Sequence, residues 1–234
     1  MKLICCNFKM NLLKKDIENY LNEINNKISN NIIFFPSIPY INDFYKNNYT
    51  VGCQNISFKE FGSITGDTSL SQLKELGVTY TIIGHSERRE YFNDNKFIEK
   101  KINLALTNNL KVILCIGEKN QNEKKEEFLK QEIDEAFKNN KDLINNDNLI
   151  IAYEPIWSIG SGLIPTNKCL EDTISYIKDY ILDNYNLKTK VLYGGSVNLE
   201  NINKLEEINN IDGYLIGGAS LKPDNVIKFS NIIK

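Results

Sequence analysis

The stretch "LIIAYEPIWSIGSG" (Leu149–Gly162) gives the clearest indication of the fold. It begins with a short apolar run that does not alternate with polar residues, which is typical of a strand covered on both faces in a parallel sheet. A carboxylate, Glu154, follows this run directly, and Pro155 comes next. Because parallel α/β folds carry their chemistry at the carboxyl ends of strands, the residues after each such run indicate function.

Similar apolar runs recur along the chain: "KLICC", "NIIFF", "TVGC", "YTIIG", "KVILCIG", "KVLY" and "GYLIGG". Together they make about eight, the strand count of a closed (β/α) barrel. We predict an α/β protein with a single (β/α)8 TIM barrel over residues 1–234, because no linker or composition break divides the chain. A doubly wound open sheet is the alternative, since periodicity cannot show whether a sheet closes.

Segments with helical periodicity lie between the runs. Leu170, Ile174, Ile177 and Ile181 fall at spacings of four, three and four, and Thr166 is a good N-cap residue before them. A second segment places Phe97, Ile98, Ile102 and Leu106 on one face.

Charge and cysteine content narrow the class of protein. The 28 basic and 30 acidic side chains give a formal charge of −2, so the sequence predicts neither a nucleic acid partner nor an anionic membrane partner. The five cysteines are scattered, which predicts reduced thiols in a cytoplasmic protein. No apolar stretch is long enough for a signal peptide or a membrane span.

Asn7 and Lys9 follow the first strand. Alternation places them on one face with Leu3 and Cys5, where a polar pair is costly unless an anion binds there. A lysine exposed to solvent just past a strand end is the alternative.

His85 is the only histidine in the chain. Alternation along the fourth strand places it on one face with Thr81 and Ile83. Ser86 to Arg89 can begin a helix whose N-terminal amides favour a neutral imidazole. A packed or surface histidine is the alternative.

Glu154 follows the sixth strand, on the same face as Ile150 and Ala152. It is either a salt-bridge partner or a base in an apolar setting. The next segment has a stiff start, an apolar tip and a glycine-rich end, which favours a lid that closes over a site. This lid comprises Pro155, Ile156, Trp157, Ser158, Ile159, Gly160, Ser161 and Gly162.

The last two strands end in "YGGSVN" (Tyr193–Asn198) and "IGGAS" (Ile216–Ser220). Small residues in two neighbouring loops let backbone amides approach a ligand, which predicts a phosphate cradle.

The motifs "NFKMN", "IIGHSERR", "VILCIGE", "AYEPIWSIGSG", "YGGSV" and "GYLIGGASL" resemble those of the triosephosphate isomerases in order and spacing, over nearly the whole chain. The resemblance implies interconversion of dihydroxyacetone phosphate and D-glyceraldehyde 3-phosphate through an enediolate, in glycolysis and gluconeogenesis. No redox step is implied, so we expect no cofactor. No Asp/His cluster has the spacing of metal ligands and the chain has one histidine, so we expect no catalytic metal. Two alternatives are another phosphosugar barrel enzyme and a barrel that has lost catalysis and serves as a binding protein.

The resemblance also implies a role for particular residues. Glu154 would be the base, His85 the electrophile, and Lys9 and Asn7 the support for the enediolate. Glu87 would orient Lys9, with Ser86 and Cys115 as further supports. Amides of Gly160, Ser196, Gly217 and Gly218 would bind the phosphate of the three-carbon substrate.

The segment "SFKEFGSITGD" (Ser57–Asp67) is long and apolar for a loop. The resemblance implies that it projects into a second copy of a homodimer through Phe58, Phe61, Ile64 and Thr65. A loop folded back on its own barrel is the alternative. The sequence departs from the family pattern at Cys6, Phe8, Asp67, Ser158 and Ser161, and none of these is a proposed catalytic residue.

Overall fold

Each of the eight apolar runs forms a strand. The structure is a computed structural model that describes residues 1–121, 124–160 and 162–233. The strands are β1 (Leu3–Asn7), β2 (Ile32–Phe35), β3 (Thr50–Cys53), β4 (Tyr80–Ile83), β5 (Lys111–Ile116), β6 (Leu149–Tyr153), β7 (Lys190–Tyr193) and β8 (Gly213–Ile216).

The sheet closes on itself. Each strand pairs in parallel with the next, and β8 pairs with β1, for example Cys5 with Leu215. The fold is therefore a (β/α)8 barrel, and the open doubly wound sheet is excluded. All the strand ends that carry polar residues meet at one rim, as the parallel arrangement requires.

Helices cover the outside of the barrel. In the described part of the chain they are α1 (Lys14–Ile24), α2 (Ile41–Lys46), α3 (Leu70–Glu75), α4 (Ser86–Phe92), α5 (Ile98–Thr107), α6 (Lys125–Phe137), α7 (Asn167–Tyr185), α8 (Ile202–Glu206) and α9 (Pro223–Ile232). None of them is long and apolar enough to cross a membrane.

The two helical segments read from the sequence are α5 and α7. In α7 the Thr166 side chain caps the helix by accepting from the Cys169 amide, and the four predicted apolar residues are buried. The start of α5 differs from the prediction, because Phe97 ends a short 3-10 helix (Asp94–Phe97) before the helix begins at Ile98.

The core has two layers. A small inner cluster inside the barrel includes Cys5, Cys115, Ile150 and Ala152, while a larger outer cluster fills the space between strands and helices. Cys6 and Phe8 belong to the outer cluster, so the predicted alternation of β1 is confirmed. Phe8 meets Tyr20, Phe34 and Phe44 edge-on, with ring centroids 5.1–6.1 Å apart.

The predicted face of β4 is wrong. Ile82 packs inside the barrel and Ile83 packs in the outer layer, so His85 does not reach the site by continuing the face of Thr81 and Ile83. Gly84, with φ at 76°, turns the chain after the strand and changes the direction of the His85 side chain. Alternation fails here because it holds only while the backbone stays extended.

Candidate active site

A cavity of about 230 Å³ opens at the carboxyl ends of the strands. Its wall contains all four residues predicted for catalysis and all four predicted for phosphate binding: Asn7, Lys9, His85, Glu154, Gly160, Ser196, Gly217 and Gly218. Residues distant in sequence therefore share one pocket because each follows a barrel strand or lies in the loop after it.

Lys9 has a left-handed backbone, with φ at 50°. Three hydrogen bonds hold it there: its amide donates to Asn7 Oδ1 at 3.0 Å, and its carbonyl accepts from Ser37 Oγ at 3.0 Å and Gln54 Nε2 at 2.9 Å. Non-glycine residues rarely adopt this conformation, and it persists only where neighbours enforce it. Asn7 thus fixes Lys9 besides lining the cavity itself, and Ser37 and Gln54 were not recognised from the sequence.

Glu87 connects Lys9 to His85. Its Oε1 lies 2.8 Å from Lys9 Nζ, as the resemblance implied, and its backbone amide donates to His85 Nδ1 at 3.3 Å. A nitrogen that accepts a hydrogen bond carries no proton, so this contact favours a neutral imidazole protonated at Nε2. Glu87 Oε2 is also 3.6 Å from Nδ1, but this carboxylate already pairs with the Lys9 ammonium.

His85 and Glu154 face each other across the cavity floor. His85 Nε2 lies 3.4 Å from Glu154 Oε1, and both side chains are at least nine-tenths buried. Glu154 Oε2 accepts from the backbone amide of Ser86, the first residue of α4, at 3.3 Å. The helix terminus therefore stabilises the carboxylate in its present position.

Cys115 lies in the barrel interior next to Glu154. Burial raises the pKa of its thiol well above the ordinary value, and the negative charge of Glu154 raises it further. The thiol therefore stays neutral and places no second charge beside the carboxylate.

The segment predicted to be a lid begins with a short 3-10 helix (Ile156–Ser158) and turns at Gly160, where φ is 68°. Ile159 and Gly160 line the cavity. Glu118, two residues after β5, holds the base of this segment: its Oε1 accepts from Tyr153 Oη and Trp157 Nε1, each at 3.0 Å. Ser161 lies outside the described residues.

The sequence analysis assigned no role to Glu118, although its position after an apolar strand could have indicated one. It follows an apolar strand in "VILCIGE", as Glu154 does in "LIIAYE". The same reasoning applied to β5 would have selected it.

A buried ion pair lies behind the site and was also missed. Arg89 Nη1 lies 3.0 Å from Glu132 Oε1, and the Arg89 guanidinium donates to the carbonyls of Gly84 at 2.6 Å and Cys115 at 2.8 Å. Glu132 Oε2 accepts from the Gly117 amide at 2.8 Å. Burial raises the pKa of Glu132 to about 7, against the opposing effect of Arg89. This pair ties the ends of β4 and β5 to α6.

The end of the cavity that the sequence predicted to bind phosphate is formed by small residues after β7 and β8. A side chain at Gly218 would meet nothing within 4 Å, so a ligand can approach the backbone there. At Gly194 a Cβ atom would come within 2.9 Å of Glu154 Cγ. Glycine therefore serves two purposes, access for a ligand and space for the carboxylate. Among the described residues, no group of three or more His, Cys, Asp or Glu side chains could hold a metal ion.

Some side chains of the loop 57–67 pack against their own barrel, and others are exposed to solvent. Phe58 stacks on Phe97 of the same chain at 4.0 Å, Ile64 is half-buried, and Phe61 and Thr65 are exposed. Phe61 is 75% exposed, which is high for a large apolar side chain.

Comparisons with known proteins identify the family of this chain. The family model described as triosephosphate isomerase matches residues 2–234. The triosephosphate isomerase of Neurospora crassa is 38% identical over 94% of this chain and 94% of its own length. The one of Mycoplasma mobile is 36% identical over 100% and 99% of the two chains, and the one of Mycoplasma capricolum 38% over 98% of each. The chain belongs to the triosephosphate isomerase family, whose reaction interconverts dihydroxyacetone phosphate and D-glyceraldehyde 3-phosphate.

Proposed function

We propose that this chain is a single catalytic domain that performs the family reaction with Glu154 as the base. The observation that carries the proposal is the cavity that holds Glu154, His85 and Lys9 at one end and the small residues of two loops at the other. Glu154 removes a proton from the hydroxyl-bearing carbon next to the carbonyl and returns it to the former carbonyl carbon.

The enediolate intermediate needs stabilisation as it forms. His85, protonated at Nε2, donates to the oxygen on which negative charge develops and can exchange that proton between the two oxygens. Lys9 supplies positive charge, and Asn7 and Glu87 keep its backbone and ammonium in place. A neutral imidazole suits this role because a protonated, positively charged His85 would form an ion pair with Glu154, whose Oε1 is 3.4 Å away.

The phosphate group binds at the opposite end, where amides of Gly160, Ser196, Gly217 and Gly218 are available. Binding there is remote from the reacting carbons, so it holds them in position without taking part in the proton transfer. The lid from Pro155 to Gly162 closes over the bound substrate and excludes water, with Gly160 permitting the turn at its tip.

We also propose that two copies form a homodimer through the loop 57–67. Phe61 projects from the loop, and a cavity of about 600 Å³ lies beside Lys9, Met10, Tyr91 and Phe92. Met10 is 95% exposed and Tyr91 is 71% exposed, which is unfavourable unless they are covered. In a twofold arrangement each copy inserts its loop beside the other's Lys9.

The setting we propose is glycolysis and gluconeogenesis in the cytoplasm. Four of the five cysteines are buried free thiols and the fifth, Cys169, is an exposed free thiol, which accords with a reducing compartment. The partners are the three-carbon phosphates and a second copy of the chain.

An isomerase assay of purified protein tests the reaction, with Glu154→Gln as the critical variant. The amide keeps the shape but cannot accept the proton, so we expect turnover to fall by about 10²–10⁴ while a phosphoglycolate-like inhibitor still binds. Glu171→Gln, on the exposed surface of α7, is the matched control and keeps full activity. A Glu154→Gln protein with a tenth of the normal turnover would contradict the assignment, and an inactive wild-type protein would favour a binding role.

A further inference from the structure

A second cavity, of about 500 Å³, is separate from the active-site cavity, since none of the described residues lines both. Its wall includes Glu118 and Trp157 from the lid base, Lys125 from α6, and Pro165 and Cys169 at the start of α7. None of these residues takes part in the proposed proton transfer.

Glu118 points to a ligand in this cavity. It is only 3% exposed, and its Oε1 already accepts from Tyr153 and Trp157. Its Oε2 is buried and has no hydrogen-bond partner within the described ranges. A buried carboxylate oxygen without a donor is costly, so a ligand with a positively charged donor would be favoured there.

Cys169 gives the same cavity a nucleophile. It is the exposed free cysteine of the described residues, and Lys125 Nζ lies 3.6 Å from its Sγ. Thr173 Oγ1 accepts from the same ammonium at 2.6 Å and fixes its position. Cys169 is exposed and lines the cavity, so a reagent that enters the cavity can reach its sulfur.

We propose that this cavity binds a small ammonium-bearing thiol and holds it as a mixed disulfide on Cys169. The thiolate attacks one sulfur of a small disulfide, a new sulfur–sulfur bond forms to Cys169, and the bond between the two ligand sulfurs breaks. The departing half leaves as a thiolate and takes a proton from water. The disulfide itself is the oxidant, and the ammonium of the retained half donates to Glu118 Oε2.

The first experiment compares two reagents of equal length, cystamine and dithiodipropionate, which carry an ammonium and a carboxylate. Rates are followed by intact-protein mass and divided by the rates of a small free thiol. The wild type is expected to prefer cystamine by about tenfold, the effect of one charge-assisted hydrogen bond. The other cysteines of the described chain are buried, so Cys169→Ser removes the labelling.

Glu118→Gln distinguishes a specific site from a merely reactive thiol. If Tyr153 and Trp157 keep donating to the remaining oxygen, the glutamine places an N–H donor where Oε2 was. The preference for cystamine is then lost or reversed. An unchanged preference in Glu118→Gln, or a wild type no more reactive than the free thiol, would overturn the proposal.

Trp157 supplies a readout of where the adduct lies. It is the single tryptophan of the chain and lines this cavity, so its fluorescence changes when cystamine occupies the cavity and recovers after reduction. Cys169→Ser shows no change on the same treatment. Fully modified wild type with unchanged emission would mean that the adduct lies outside the cavity, which contradicts the proposal. These measurements need no substrate and are independent of the proposed isomerase activity.

Discussion

The Ser86 amide donates to Glu154 Oε2 at 3.3 Å, so the first residue of α4 holds the carboxylate beside the histidine. Ser86 and Glu154 are 68 positions apart in the sequence, so only the folded structure brings them into contact. Moving the Glu154 carboxylate toward a ligand in the cavity requires exchanging this hydrogen bond for a new one, so the bond sets the resting position of the carboxylate.

Ser86→Pro tests this bond by deleting one N–H group. The change is tolerated structurally because Ser86 is the first residue of α4, where proline is favoured, and His85 has the extended ψ of 139° that a residue before proline needs. We expect kcat/KM to fall about tenfold, the effect of one charge-assisted hydrogen bond. Ser86→Ala keeps the amide and serves as the control. Equal losses in both variants would assign the effect to the hydroxyl instead.

His85 is expected to be neutral and protonated at Nε2 in the free protein, because the Glu87 amide donates to Nδ1. Since it is the only histidine, its ¹⁵N chemical shifts can be assigned without mutagenesis. The Nε2 shift should be that of a protonated nitrogen and the Nδ1 shift that of an acceptor. Shifts of a doubly protonated ring at neutral pH would contradict the proposed electrophile. The ring ¹⁵N shifts of the same histidine in the unfolded protein serve as the control.

The lid is expected to protect the enediolate from losing phosphate. Deleting residues 158–161 leaves Glu154 and His85 in place but removes Ile159 and Gly160 from the cavity wall. Isomerisation should fall, and inorganic phosphate should appear in proportion to substrate consumed, because water is no longer excluded. Glu118→Ala, which frees Trp157 but keeps the lid, is the milder comparison. A deletion variant that releases no phosphate would show that the lid has another purpose.

Phe61→Glu is expected to give a monomer. The side chain is 75% exposed in one copy, so the change costs the isolated chain little but prevents burial against a second copy. Light scattering should show about half the mass of the wild-type particle. If the partner's loop holds Lys9 in position, turnover should fall together with the particle mass. Tyr45→Glu, at an exposed tyrosine of α2, is the control. A fully active wild-type monomer would refute the dimer.

The buried Glu132 is expected to make stability depend on pH. Its pKa is about 7 in the folded protein against an ordinary 4.5, so the folded state holds the proton more tightly. Stability is therefore highest below pH 4.5 for this group and falls as the pH rises to 7, by about 3 kcal/mol. Glu132→Gln lacks this group, so its free energy of unfolding should improve relative to wild type over that range. The free energies of unfolding of the two proteins are measured by urea titration at each pH. If they differ by the same amount at every pH, the raised pKa of Glu132 is contradicted.

The sequence by itself determined the eight buried parallel strands and indicated most residues of the candidate site. Eight two-sided apolar runs specify buried parallel strands, and polar residues directly after them, such as Asn7 and Glu154, must meet at one rim. The four apolar residues of α7 were found because their spacing follows the helical period. These features depend on local pattern, which a sequence displays directly.

The tertiary structure decided what depends on contacts between distant segments. Sheet closure requires β8 to meet β1, and no periodicity encodes that pairing. The aim of His85 depends on the turn at Gly84, where the alternation of β4 ends. The partners of Glu118 and the burial of Glu132 beside Arg89 likewise arise only when the strand ends and helices pack together, because a hydrogen bond between residues far apart in sequence exists only after folding.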